Sequence, residues 1–377
     1  MTAPPGIGSA WPGGRLLVTD QRAPELDLSA AVGQMQATYR FELINGVTGE
    51  HLDDITPIRG ASLTHDTSMT TKRTLNMSLG KSDTAAVNAL VDRVLLFMTI
   101  PGAPNPDRAD GDWPLGRYMW SDNPRRLSTG GRLAQPVLTD EMLLVDQEIQ
   151  AGISGIGVPV SSVLTAVLSG LPIVFDVEQS SFESANSWAR GAGRGQVLET
   201  LSQVGDYWSP WFDNHGVLRF RRTFDPAARV PDLDFDRGYR VLRQDIVETD
   251  ELLTAPNRFV VISNAAKSGA SPVVGVADVA VNAPNSIPNI GFIRSKTLDL
   301  QLSDAGQAAA VAQGLVQRQA IFEQVVLSTP ADPRHDGYSV IRWQGENWLE
   351  LGWTMPLVMG EAMVHTLRRS YGPGSVA

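Results

Sequence analysis

Apolar and polar residues alternate along most of the chain, and the period becomes helical in only three places. Tyr39, Phe41 and Leu43 alternate with Arg40 and Glu42 and run into Asn45-Gly46, a strong hairpin dipeptide. Arg73, Leu75, Met77 and Leu79 repeat the pattern, which predicts a strand with one wet face. Val94–Ile100, Trp113–Trp120 and Leu133–Ile149 predict further strands around a Pro- and Asp-rich loop at 101–112. The first helical period begins near Val160. Ser161 or Ser162 is placed to cap it, Val163, Leu164, Val167 and Leu168 form its apolar face, and Gly170 ends it before a short strand, Ile173–Val177.

The second helical period organises the middle of the chain. Val197, Leu198, Leu201 and Val204 share one face, and Gly205 follows as a stop. Tyr207, Trp208, Trp211 and Phe212 then gather four aromatics, Asp213-Asn214-His215-Gly216 predicts a turn, and Val217–Arg221 alternates as a half-buried strand. Strands are predicted at Asn257–Ile262 and Phe292–Leu302. In the third helical period Ser303 caps a long Ala- and Gln-rich helix with Ala308, Val311, Ala312 and Leu315 inward. Strands Ile321–Leu327, Tyr338–Trp343, Trp348–Met355 and Ala362–Arg369 complete the chain, with Leu349, Leu351, Trp353 and Met355 as an inward set. The fold class is therefore mainly β (α+β). The expected divisions are an arm and lead-in strand over 1–36, a barrel or sandwich over 37–150, a small α/β domain over 151–238, and a second β domain with the long helix over 239–377.

Composition narrows the function. A chain of 377 residues exceeds one ordinary core, and 42% hydrophobic against 19% charged residues is a globular balance. Without cysteine there is no disulfide, thiolate metal site or cysteine nucleophile. A net charge of -10 lacks the basic footprint of a nucleic-acid binder. The first residues, MTAPPGIGSAWPGG, have no basic and apolar run of a secretory signal, and no stretch is long enough for a membrane span. Their Gly, Pro and Ala content with the lone Trp11 predicts an arm that grips a neighbour.

Candidate chemistry is sparse. Asp232, Asp234 and Asp236 suggest a calcium loop, but Arg237 occupies the position of the required glycine and Arg243 that of the bidentate glutamate, whereas Leu233 and Phe235 alternate with them as in a strand. Gly191–Gly195 ahead of the second helix has neither the register nor the lysine of a phosphate cradle. His51, His65 and His335 sit beside carboxylates in sequence, but His65 and Asp66 point to opposite faces of a strand. Asp140 with Glu141, or Glu346 with Glu350, can be posed as a hydrolase pair. No catalytic, metal or cofactor residue is assigned on this basis. The aromatic cluster reads as core or subunit interface, and Trp11, Trp208, Trp211 and Phe212 are the candidates for assembly.

The order of elements carries a resemblance. The helix-to-hairpin unit ending in Asp213, Gly216 and Leu218, the Ala-rich helix leading into a strand, the Asp332-Pro333…Gly337 loop and the last strands ending at Arg368-Arg369 together resemble a phage tail hub. More narrowly, Tyr39–Ser370 is similar to minor tail proteins of long-tailed phages of actinobacteria, of the baseplate hub or tail-associated type. It departs from the family loop, which commonly reads Gly-Asp, in placing Tyr338 after Gly337. The resemblance implies two β-barrel-like hub domains flanking the small α/β domain, and a homotrimer with a pseudo-sixfold ring that closes the tail tube at the virion's tail tip. It implies a distal tail protein ring, a tape measure protein and other minor tail proteins or fibres as partners, with transient passage of DNA. Any wall-cleaving or fibre domain is expected on a separate protein, since the chain ends at Ala377. The rival readings are a receptor- or carbohydrate-binding tail protein using Trp113, Trp120 or Trp208, and a tail-associated peptidoglycan hydrolase.

Overall fold

The computed structural model describes residues 37–124, 133–176, 180–237, 241–247, 254–263, 272–319 and 321–370. Trp11 and the arm lie outside these residues. The first region has seven strands: β1 (Thr38–Asn45), β2 (His51–Ile55), β3 (Arg59–Asp66), β4 (Arg73–Ser78), β5 (Asp92–Thr99), β6 (Trp113–Trp120) and β7 (Val137–Thr139). The alternation read in the sequence holds here. Phe41, Leu43, Leu63, Leu75, Met77, Leu96 and Leu138 are all buried in one core. The long strand expected over Leu133–Ile149 is confined to β7, because Asp140 accepts the backbone N–H of Met142 at 3.1 Å and turns the chain into the short helix Met142–Val145.

The middle region holds α1 (Val160–Val167), β8 (Ile173–Phe175), α2 (Arg194–Val204), β9 (Trp211–Phe212) and β10 (Leu218–Phe220). Neither Ser161 nor Ser162 caps α1. Pro159 precedes it, Ser161 lies inside it, and the Val160 N–H is taken by the Phe182 carbonyl at 2.9 Å. At the end of α2 the left-handed residue is Asp206 (φ 57), not Gly205 (φ -79). Gly205 is needed for space instead, since a Cβ there would sit 2.6 Å from the Tyr207 ring and 2.9 Å from Val160. β9 pairs antiparallel with β10, and β8 joins β10 in parallel.

The last region contains β11 (Leu233–Asp234), β12 (Arg243–Val247), β13 (Arg258–Ser263), β14 (Val273–Asp278), β15 (Ser295–Asp299), α3 (Ala305–Gln319), β16 (Ile321–Thr329), β17 (Val340–Trp343), β18 (Glu346–Leu357) and β19 (Met363–Ser370). Two bounds move. The strand expected from Phe292 begins at Ser295, after a turn at Gly291 (φ 76), and α3 is capped by Asp304, whose Oδ1 accepts the Gln307 N–H at 2.9 Å, rather than by Ser303. The calcium-like aspartates serve backbone: Asp232 accepts from Val340 and Asp236 from Gln344 and Gly345, while Leu233 and Phe235 are buried.

The first and last regions share one 13-stranded sheet in the order β12-β16-β19-β18-β3-β4-β7-β6-β5-β1-β2, with β17 on β18 and β11 on β17. The bridging pair is antiparallel, with Trp353 opposite His65 and Met355 opposite Leu63. β13, β14 and β15 form a separate three-stranded sheet whose Phe259, Val261 and Ala277 share a core with α3, α1, α2 and β10. The described residues are therefore mainly β in several sheets, and no described helix is long and apolar enough to cross a membrane.

Candidate functional site

The sites of interest gather where the loop 332–338 enters the fold. Gly337 lies against the Trp211 indole, where a Cβ would approach ring atoms to 2.7–2.8 Å. The next residue, Tyr338, adopts φ 56 and turns its ring onto Trp208. The strand predicted to begin at Tyr338 therefore begins at Val340. Trp208 stacks on Tyr338 at 4.7 Å, Trp211 meets it edge-on at 5.3 Å, and Phe224 meets Trp208 at 5.7 Å. Burial pushes the Tyr338 hydroxyl's pKa upward.

Arg73 of β4 closes this junction from the other side. It is 1% exposed, donates to Asp336 Oδ1 at 2.7 Å and to Asn214 Oδ1 at 2.5 Å, and lies 5.6 Å from the Trp353 ring. Trp211 Nε1 donates to the same Asp336 oxygen at 2.8 Å. Asn214 in turn donates to the carbonyls of Pro333 and His335 at 2.9 and 3.1 Å. Three segments remote in sequence thus meet on one carboxylate, with the cation paired and the indole N–H satisfied. Asp140 holds the Arg73 backbone N–H at 2.9 Å, and burial raises its pKa to about 6.

A second buried cluster begins on the same loop. His335 Nδ1 lies 2.8 Å from Glu350 Oε2, and His365 Nδ1 lies 2.7 Å from Glu350 Oε1. All three residues are at most 1% exposed. Burial lifts Glu350 to about 7, lowers His335 to about 4 and lowers His365. His365 Nε2 lies 2.8 Å from Thr329 Oγ1, which donates to the Pro330 carbonyl at 2.9 Å. His335 Nε2 is buried without a hydrogen-bond partner.

The backbone explains why Glu350 faces inward. Strict alternation through Leu349, Leu351, Trp353 and Met355 would place Glu350 on the opposite face. The register of β18 against β19 shifts between Glu350 and Gly352, so Leu351 is an inserted residue and is only half-buried. Before the bulge Glu350 shares a face with Leu367 and His365, while Leu349 joins Trp208, Trp211 and Tyr338.

Trp208, Trp211 and Phe212 are at most 3% exposed, so the described contacts of these assembly candidates are within the chain. Trp208 and Trp211 belong to the junction, and Phe212 to the core of α1, α2 and α3. Trp113 and Trp120 are buried beneath β5 and β7. Of the posed carboxylate pairs, Glu141 is bridged to Arg117 at 2.8 Å and Asp140 accepts from backbone, while Glu350 is held by the histidines. The sequence reading overlooked Arg73 as a buried cation and His365 as a cluster member. The available signal was a polar residue at an inward strand position, between Leu75 and its neighbours in one case and between Met363 and Leu367 in the other.

No protein-family model and no curated protein matches the sequence. The fold is similar to that of the 43 kDa tail protein of prophage MuSo2 from Shewanella oneidensis, with a TM-score of 0.52 at 13% identity over 88% of this chain and 98% of that one. It is also similar to the prophage tail protein gp18 from Listeria monocytogenes EGD-e, with a TM-score of 0.50 at 10% identity over 87% of this chain and 94% of that one. At these identities the likeness is one of architecture: the chain has a fold found in phage tail proteins.

Proposed function

We propose that this chain is a structural virion protein of a phage tail tip, acting as a trimeric hub that closes the tail tube and adapts its sixfold symmetry to a threefold tip. The observation that carries this reading is the likeness to two prophage tail proteins over nearly the whole length of each chain. The proposed hub domains are 37–150, which holds β1–β7, and 239–377, which holds β12–β19 and the long helix α3, with the small α/β domain of 151–238 between them. Their joining through β3 and β18 supplies the rigidity that such a part needs. The buried junction adds to it by tying the inserted region to both.

A hub of this kind forms part of the path for DNA. The net charge of -10 suits a wall that must not hold phosphate. Distal tail protein, tape measure protein and fibres are the proposed neighbours, and attachment to the host is left to them. Antibody raised against the purified chain should label intact particles at the distal end of the tail. Label on the capsid, or none on particles that contain the chain, would refute the placement. Cleavage of cell walls in a turbidity assay would favour a hydrolase instead, and micromolar binding on a glycan array would favour a receptor-binding role.

A further inference from the structure

The His335–Glu350–His365 cluster brings two imidazoles and a carboxylate together away from solvent. Thr329 Oγ1 has one hydrogen, and it is directed to the Pro330 carbonyl at 2.9 Å. His365 Nε2 lies 2.8 Å from the same oxygen, and its Nδ1 lies 2.7 Å from a carboxylate oxygen of Glu350. Each oxygen of the buried Glu350 carboxylate thus faces one imidazole nitrogen, and His335 Nε2 has no hydrogen-bond partner. Arg334 and Arg73 are engaged on other carboxylates, Asp332 at 2.6 Å and Asp336 at 2.7 Å.

We propose that His335, Glu350 and His365 form a buried site for a divalent transition-metal ion, with zinc the species that the ligand set favours. Two imidazoles and one carboxylate are a known three-ligand zinc set, with water as the fourth ligand. The ligand atoms already lie within 4.8 Å of one another. Zinc bonds of about 2.0–2.1 Å in tetrahedral geometry separate ligand atoms by about 3.3 Å, so binding requires one Glu350 oxygen to serve both imidazoles and the side chains to shift by about 0.5 Å or more. The His365–Thr329–Pro330 relay is the outer support that a metal-bound histidine requires, because it fixes the tautomer and the ring orientation. His335 is the weaker ligand, since its Nε2–H would be buried without a partner, and this limits the affinity. Binding would clamp the loop 332–338 to β18 and β19 and thereby steady Asp336 and Tyr338 in the adjoining junction.

The test uses the full chain, stripped with chelator and titrated with zinc chloride by calorimetry, with bound metal counted by mass spectrometry. The expected result is one zinc per chain and a higher melting temperature, reversed by chelator. Zinc-edge X-ray absorption of the unmutated protein should give two imidazole nitrogens with oxygen ligands, a readout that does not depend on any variant folding. Glu350→Gln should lose at least a hundredfold in affinity, and Thr329→Val, which removes only the support, about tenfold. Fewer than about 0.1 zinc per chain at excess metal, with no shift in melting, would overturn the site and leave a shared proton as the cation. Zinc bound with other ligands, or equally well by a folded Glu350→Gln variant, would overturn it too.

Discussion

Two buried polar sites share one loop and differ in completeness. Asp336 and Tyr338 go to the aromatic junction, where Arg73 neutralises the carboxylate and Trp211 and Asn214 supply further hydrogen bonds. His335, one residue earlier, goes to a cluster in which a fully buried carboxylate meets two imidazoles and no committed cation. The junction therefore behaves as a structural pin, made costly to break because Asp336 is paired with Arg73 and accepts from Trp211. The histidine cluster holds a buried carboxylate between two imidazoles, the arrangement from which the metal site is proposed. Counting charges and hydrogens, rather than contacts, is what separates the two.

The comparison makes graded predictions. Trp211→Ala should break the junction most severely, since it opens a cavity against Gly337 and Tyr338 and removes the N–H donor to Asp336; a loss of about 3–5 kcal/mol is expected in denaturant melts. Melting like the parent would mean that the indole is not buried as described. Arg73→Met keeps the volume but strands Asp336, and should cost about 2–4 kcal/mol, tempered by the partial exposure of that carboxylate. Gly337→Ala drives a methyl into the indole and is expected to cost about 1–3 kcal/mol, with the loss abolished if Trp211 is already Ala.

Smaller effects come from charge. Asp140 is raised to about 6 by burial, so the stability conferred by its protonated form is fully present below about 3.8 and is lost as pH rises through 6. Stability curves of the parent and Asp140→Asn should differ in slope between those limits, and parallel curves would show that this carboxyl is solvated. Glu350→Gln removes a buried charge at nearly constant shape. In metal-free protein at pH 8 it should change stability by less than about 1 kcal/mol, in contrast to Arg73→Met.

Much of this was legible in the sequence. The inward residues of β1 and β4, the helix face of Val197, Leu198, Leu201 and Val204, and the direct run of α3 into β16 all follow from period alone. What stayed hidden was set by the backbone and by contacts remote in sequence. The bulge at Leu351 inverts the faces of β18 on either side, so a strict period of two assigns Glu350 outward and Leu349 to the wrong core. The left-handed turns fall at Asp206 and Tyr338 because neighbouring glycines are reserved for space against rings, which no local rule reveals. The pairing of β3 with β18 joins residues nearly 300 apart, so Arg73 and Asp336 meet without any local signal.

The central claim, that the chain is a trimeric hub of a tail tip, is tested most directly by electron-microscopy class averages of the purified full chain, with its mass measured at matching concentration. The account predicts particles of three 40.7 kDa chains forming a ring with threefold symmetry and a central opening. A strictly monomeric mass at every concentration, with no ring in intact particles, would contradict it.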